Sequence, residues 1–337
     1  MALHKQQTGI NREVYLVRHL FDPDKLKQIP TRNGYGEGLV EAGKINKNVM
    51  VLCADLTEST RSLAFKNTFP DRFVQLGVSE QSMASIAAGM AITGKVPFIS
   101  SYACFSPGRN WEQIRTTIAI QNSNVKIAGA HAGVSVGHDG ATHQMIEDIA
   151  IMRVMSNMRV FVPCDMLETK KTTLAVAKLS GPCYLRFARE ASPVFTTEKT
   201  PFKVGRAETY RFGNDLTIIA SGPLLYEALL AAQILSIDHK IEARVINMHT
   251  IKPLDVKTII KAAKESGAIV TVEEAQAAGG LGGAVAETVC LSAPVPVERV
   301  GMQDRFGESG NPRELQEAFG LTAPSIIAAS LRVLKLK

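Results

Sequence analysis

Apolar and polar positions along this chain fall into two blocks, each a series of short apolar runs separated by segments of helical spacing. In the first block, from about residue 30 to 190, the runs Val49–Ala54, Phe73–Val78, Val96–Ser101, Val125–Ala130, Arg159–Pro163 and Cys183–Phe187 predict strands. Helices are expected to begin near Thr31, Glu80, Asn110, Gln144 and Met166. The second block has strands at "LTIIASG", "ARVINMH", "AIVTVEE" and "VERVGM", with helices at "LYEALLAAQIL", "DVKTIIKAAKES" and "GGAVAETVCLSA". Two further helices, "NPRELQEAFG" and "PSIIAASLRVLKL", close the chain. Strand–helix alternation of this kind argues a parallel sheet covered on both faces. The expected fold is α/β, with two doubly wound domains over residues 29–190 and 204–337. Residues 1–28 are polar and mixed and predict an N-terminal arm. The segment 191–203 carries two prolines, several threonines and no helical stripe, and predicts a linker.

The bulk numbers narrow the function classes. A chain of 337 residues can build two sizeable cores, and 45% hydrophobic with 21% charged residues is ordinary for a globular protein. We find no apolar run near the ~20 residues a membrane helix needs, and the N-terminus lacks a signal-peptide core, so no membrane association is expected. Five scattered cysteines without a C-x-x-C pair suggest neither zinc nor a disulfide framework, which predicts a reducing, cytoplasmic setting. The net charge of +6 is spread among acids with no basic run, so nucleic acid is not an expected partner.

Candidate chemistry begins at "LGVSEQSMASIAAGMA", where Glu80 stands between an apolar strand and an apolar helix. A carboxylate there either satisfies the helix N-terminus or is kept protonated by burial so that it can donate. The loop "AHAGVSVGHDGATHQMIED" gathers His131, His138, Asp139 and His143 beyond a buried strand, where ligands of open α/β sheets bind. No H-x-x-x-H pair supports zinc there. Hydrogen bonding to a polar substrate and mutual bonding within the loop are both open. In "SSYACFSPGRNWEQIR", Tyr102 and Phe105 suit a flat pocket wall or ordinary core. "AAGGLGGAVAE" misses the G-x-G-x-x-G spacing and its glycines lie away from the strand end, so close packing is the expected use rather than dinucleotide binding.

The succession "ADLTEST", "GVSEQS", "YACFSPGRNWEQIR", "HAGVSVGHDGATHQMIED" and "CYLRFARE" resembles the thiamine-diphosphate pyrimidine-binding domain of transketolases. "VINMHTIKPLD", "AIVTVEEAQAAGGLGGAVAE" and "VGMQDRFGESG" resemble the transketolase C-terminal domain. The resemblance runs in order from about Thr31 to the end. The G-D-G motif that holds Mg²⁺ and the cofactor's diphosphate in that family does not occur here. The resemblance therefore implies one half of a split transketolase, whose partner chain supplies the diphosphate- and Mg²⁺-binding domain, with no metal site on this chain. It further implies a homodimer of this chain within a heterotetramer, acting on phosphorylated sugars.

Residue by residue, Glu80 matches the acid that bonds to the pyrimidine ring nitrogen of thiamine diphosphate. Tyr102 and Phe105 match the aromatic wall, Asp55 matches an acid near the cofactor, and Leu56 would lie beside it. Arg32, Ser59, His131 and Arg186 match the phosphate-binding set; Asp139 and His143 match contacts to sugar hydroxyls, and His143 also matches a proton relay. Between Phe105 and Arg109, "SPG" departs from transketolases, where a further aromatic stands. The same two domains occur in the beta subunit of 2-oxoacid dehydrogenase decarboxylases and in 1-deoxyxylulose-5-phosphate synthase. The first should lack the phosphate set and "DGATHQ", and the second carries an arginine pattern where this chain has "AHAG". A non-catalytic regulatory subunit that kept the fold is the alternative from another class.

Overall fold

The computed structural model describes residues 8–337. Seven strands form one sheet in the order Thr250–Lys252, Arg159–Phe161, Cys183–Arg186, Lys126–Ala130, Val96–Tyr102, Val49–Cys53 and Phe73–Gln75. All pairs are parallel except the Thr250 strand, which adds antiparallel at the edge. A second sheet runs Gly9–Ile10, Glu208–Phe212, Ala243–Asn247, Leu216–Ala220, Ile269–Gln276 and Val297–Met302. Its last four strands are parallel, and the first two pair antiparallel.

The two domains are less separate than their sequence blocks. The described part of the N-terminal arm joins the second sheet, and Val14, Leu20 and Leu26 pack into that domain's core; residues 1–7 of the expected arm lie outside the described residues. Within the expected linker, Ala191–Pro193 forms a strand paired with Gln28–Pro30. In return the second block lends the Thr250 strand to the first sheet. One hydrophobic cluster joins Met155, Met158 and Val160 to Ile219, Ile246 and Met248 across the seam.

Local physics explains the helices that carry the site. Thr31–Ile45 packs on Met166–Lys178 through glycines: a Cβ on Gly34 would lie 2.0 Å from the Met166 carbonyl oxygen, and one on Gly38 2.6 Å from Thr173 Cβ. Only hydrogen fits there. The Met166 helix starts at Asp165, whose carboxylate accepts from the Glu168 N–H at 2.9 Å. Glu168 reaches back to the Cys164 N–H at 2.7 Å. The helix expected near Gln144 begins later, at Asp148, because the preceding 3₁₀ turns over Val134–Asp139 and the loop after them are held by the Gln144 amide, which donates to the carbonyls of Val134, Gly137 and Glu308. Pro312–Leu334 is apolar enough over 23 residues to cross a membrane by length and composition, contrary to the expectation of no such run. It folds as two helices, Pro312–Ala318 and Ala323–Leu334, with Leu315, Ile326, Ala329 and Val333 in the core.

Candidate active site

Parallel strands deliver their loops to one edge, and the strands ending at Cys53, Gln75, Tyr102 and Ala130 lie side by side. The chain beyond them carries Asp55 and Ser59, then Glu80, Tyr102 with Phe105, and His131. That edge is where open α/β sheets bind ligands. Three non-glycine residues here take left-handed backbone: Asp55 (φ 57°), Arg61 (φ 64°) and His131 (φ 54°). Such geometry costs about 1–3 kcal/mol each and gathers at functional sites. Asp55 is exposed at the edge, accepting from the Gln75 side chain at 3.1 Å, and Leu56 beside it is half-buried.

Glu80 is the first residue of the helix Glu80–Ile92 and is 1% exposed. Its Oε2 accepts from Arg109 at 2.6 Å and its Oε1 from the Ser101 hydroxyl at 3.2 Å. Neither oxygen takes a backbone N–H, so the capping reading is not what the geometry serves. Glu80 is not isolated: Arg109 stands directly against its carboxyl group. The same guanidinium lies 4.6 Å from the Phe105 ring centroid.

From Phe105 an aromatic row continues inward. Tyr102 stacks on Phe105 at 6.0 Å and on His131 at 3.8 Å, while His143 meets Tyr102 and Phe105 edge-on at 6.2 and 5.5 Å. Tyr102 thus backs the His131 ring as well as the wall. His143 is half-buried and shares a hydrogen bond with the Thr142 hydroxyl through Nδ1, at 2.9 Å.

At the far end of the row lies a cationic cluster. Arg32 donates to the Ser59 carbonyl at 3.1 Å and contacts His131 Nε2 at 3.4 Å. A guanidinium can only donate, so Nε2 accepts and the imidazole proton sits on Nδ1. That Nδ1 is buried with no partner, and so is Arg32 Nε. Burial and the neighbouring Arg32, Arg189 and Arg61 push His131 down to about 3, so it is neutral at physiological pH. Arg189, not anticipated from the sequence, belongs to this cluster: it donates to Asp139 at 3.3 Å and to the Val136 carbonyl at 3.1 Å.

Arg186, expected in the phosphate set, is placed elsewhere. It is 4% exposed, donating through Nε to Asp148 at 2.8 Å and through NH2 to the Glu274 carbonyl at 2.7 Å. Tyr184 donates to the same Asp148 oxygen at 2.6 Å. The physical reason is register: Arg186 ends its strand inside the sheet, whereas Arg189 lies three residues beyond, on the loop that reaches the edge. The spacing in "RFARE" held this information, since loop positions past a strand end are the ones offered to ligands. Arg61 and Arg109 had no such signal.

The glycine-rich stretch is structural. Buried Glu273 accepts from the N–H groups of Leu281 and Gly282 at 2.7 and 2.8 Å, filling the N-terminus of the helix Leu281–Ser292 with its own carboxylate. Among the described residues, no group of three or more His, Cys, Asp or Glu side chains is arranged to hold a metal ion; His138 is exposed on the loop.

Comparison with known proteins follows the same geometry. Residues 27–194 match the family model for the transketolase pyrimidine-binding domain, and residues 205–326 the transketolase C-terminal domain. A protein of Methanocaldococcus jannaschii described as a transketolase C-terminal section is 44% identical over 307 residues, covering 90% of this chain and 96% of its own length. The 6-deoxy-6-sulfo-D-fructose transketolase subunit SqwH of a Clostridium species is 37% identical, covering 93% and 97%. Among solved structures, a split-gene transketolase described as an inactive beta4 tetramer superposes with TM-score 0.86 at 43% identity, over 92% of this chain and 99% of that one.

Proposed function

The chain belongs to the transketolase family, and we propose that it is the C-terminal subunit of a thiamine-diphosphate-dependent split transketolase, moving a two-carbon ketol unit between sugars with an anionic terminus. In this reading a separate N-terminal subunit holds the cofactor's diphosphate with its Mg²⁺. The observation that carries it is the single aromatic row Phe105–Tyr102–His131, with a buried carboxyl at one end and a cationic cluster at the other. Glu80 and Phe105 fit the ring end of the cofactor.

When bound, the cofactor supplies an electron sink for a bond cleaved beside a carbonyl. Glu80 holds a proton against the ring nitrogen, with Ser101 fixing the other carboxyl oxygen, and Phe105 takes the ring face. Arg32 and Arg189 receive the substrate's phosphate with forked, charge-assisted bonds, and neutral His131 adds a contact without adding repulsion between cations. An anion there brings acceptors to a cluster in which two donors, Arg32 Nε and His131 Nδ1, have no partner in the protein. Asp139 and His143 take the sugar hydroxyls beside the reacting carbons, His143 moving a proton. A relative acting on a sulfonated sugar is consistent with a site selecting for a terminal anion.

The test is reconstitution. The chain purified alone should bind cofactor weakly and turn nothing over, and co-expression with an N-terminal transketolase section should give ketol transfer. Glu80→Gln should keep the fold and reduce reconstituted turnover by more than about tenfold, a barrier change of ~1.4 kcal/mol. Steady ketol transfer by the chain alone would overturn the subunit reading.

A further inference from the structure

The Arg109 guanidinium touches the two surfaces that the reading above reserves for the cofactor's aminopyrimidine. It bonds to the Glu80 carboxylate at 2.6 Å and lies over Phe105 at 4.6 Å. A planar cation bearing N–H groups satisfies a buried carboxylate and an aromatic face in the manner of a planar aminopyrimidine. The side chain of Glu80 is 1% exposed and that of Arg109 is 44% exposed, so the acid is fixed and the arginine has solvent to move into. Asn110, the next residue, is anchored by bonds to the Glu80 carbonyl at 3.0 Å and to Ser106 at 3.2 Å, so the Arg109 backbone can stay in place while its side chain swings.

We propose that Arg109 is an internal occupant of the pyrimidine site: in the subunit without cofactor it neutralises Glu80 and covers Phe105, and cofactor binding requires its displacement. Arg109 is then a positioning residue acting through Glu80, and it shields a buried charge whose desolvation would otherwise be uncompensated. The proposal rests on the assignment of Glu80 to the cofactor ring.

Two measurements on the full chain test it. The first is equilibrium dialysis of thiamine diphosphate with Mg²⁺ against wild type, Arg109→Ala, Glu80→Gln and the double variant, each as the isolated chain and with the co-expressed N-terminal subunit. Arg109→Ala should bind roughly tenfold more tightly than wild type, as expected if only about a tenth of wild-type molecules have Glu80 free. The direction is diagnostic, since losing a cation should otherwise weaken binding of an anionic diphosphate. The gain should vanish in the double variant. The second is the rate at which phenylglyoxal modifies Arg109, read by mass spectrometry. It should rise severalfold in Glu80→Gln without ligand, and in the reconstituted wild type on adding thiamine diphosphate. Equal or weaker binding by Arg109→Ala, undetectable binding by both included, overturns the proposal, as does a labelling rate that ligand lowers or leaves unchanged. If the reconstituted wild type binds no thiamine diphosphate at all, the cofactor assignment itself fails.

Discussion

Two arginines three residues apart, Arg186 and Arg189, should fail in different ways when replaced by alanine. Removing Arg189 takes one guanidinium from the cationic cluster while Arg32 and His131 remain. A hydrogen bond to a charged group contributes ~1.5–3 kcal/mol, so kcat/KM for a phosphorylated donor should fall roughly 10- to 150-fold. The loss should appear mainly in KM, because the phosphate binds alike in ground and transition states. With hydroxypyruvate as donor and a phosphorylated acceptor held saturating, the loss should be much smaller. Arg189 is 32% exposed and its bond to Asp139 is 3.3 Å long, so folding stability should change by less than ~1 kcal/mol. Removing Arg186 leaves Asp148 buried with Tyr184 as its remaining side-chain donor, and stability should fall by about 3–5 kcal/mol. The assays are steady-state kinetics of the reconstituted enzyme with both donors, and urea denaturation of each variant. The assignment is refuted if Arg189→Ala impairs phosphorylated and unphosphorylated donors equally, or if Arg186→Ala keeps full stability and selectively loses the phosphorylated one.

Glu273→Ala should destabilise the chain by about 3 kcal/mol in urea denaturation, because two buried N–H groups lose their acceptor; a change under ~1 kcal/mol would show that water replaces the carboxylate. Gly280→Ala should be comparably damaging, since its Cβ would lie 2.1 Å from Glu273 Oε2. Glu168 makes a pH prediction. Burial raises it from 4.5 to about 7, so between these values the native state holds a proton that the unfolded state has released. Its contribution is whole below pH 4.5 and is lost as pH rises through about 7. Thermal unfolding of wild type minus Glu168→Gln should decline across that window, and a flat or rising difference would contradict the assignment. His131 and His249, pushed down to about 3 and about 4, work in the opposite direction at low pH and cancel in this difference.

How far the chain could be read without coordinates depended on how local each determinant was. Alternating apolar runs and helical stripes are local, so they disclosed the α/β class, both blocks and the strands ending at the site. Glu80, His131, Asp139 and His143 stood out as candidates for the same reason: each follows an apolar strand on the side where loops meet ligands. Tertiary structure alone decided which charges met. Arg109 finds Glu80 across 29 positions, and Arg32 finds His131 across 99, through a sheet order that periodicity does not encode. Arg186 and Arg189 are a mixed case: their spacing is local, but what each one meets, Asp148 for the first and Asp139 for the second, was decided by the fold. The arm strand at Gly9–Ile10 and the strand Thr250–Lys252 crossed between blocks for a further reason. A short apolar segment carries no mark of which sheet edge will cover it, and only the folded neighbours supply that edge.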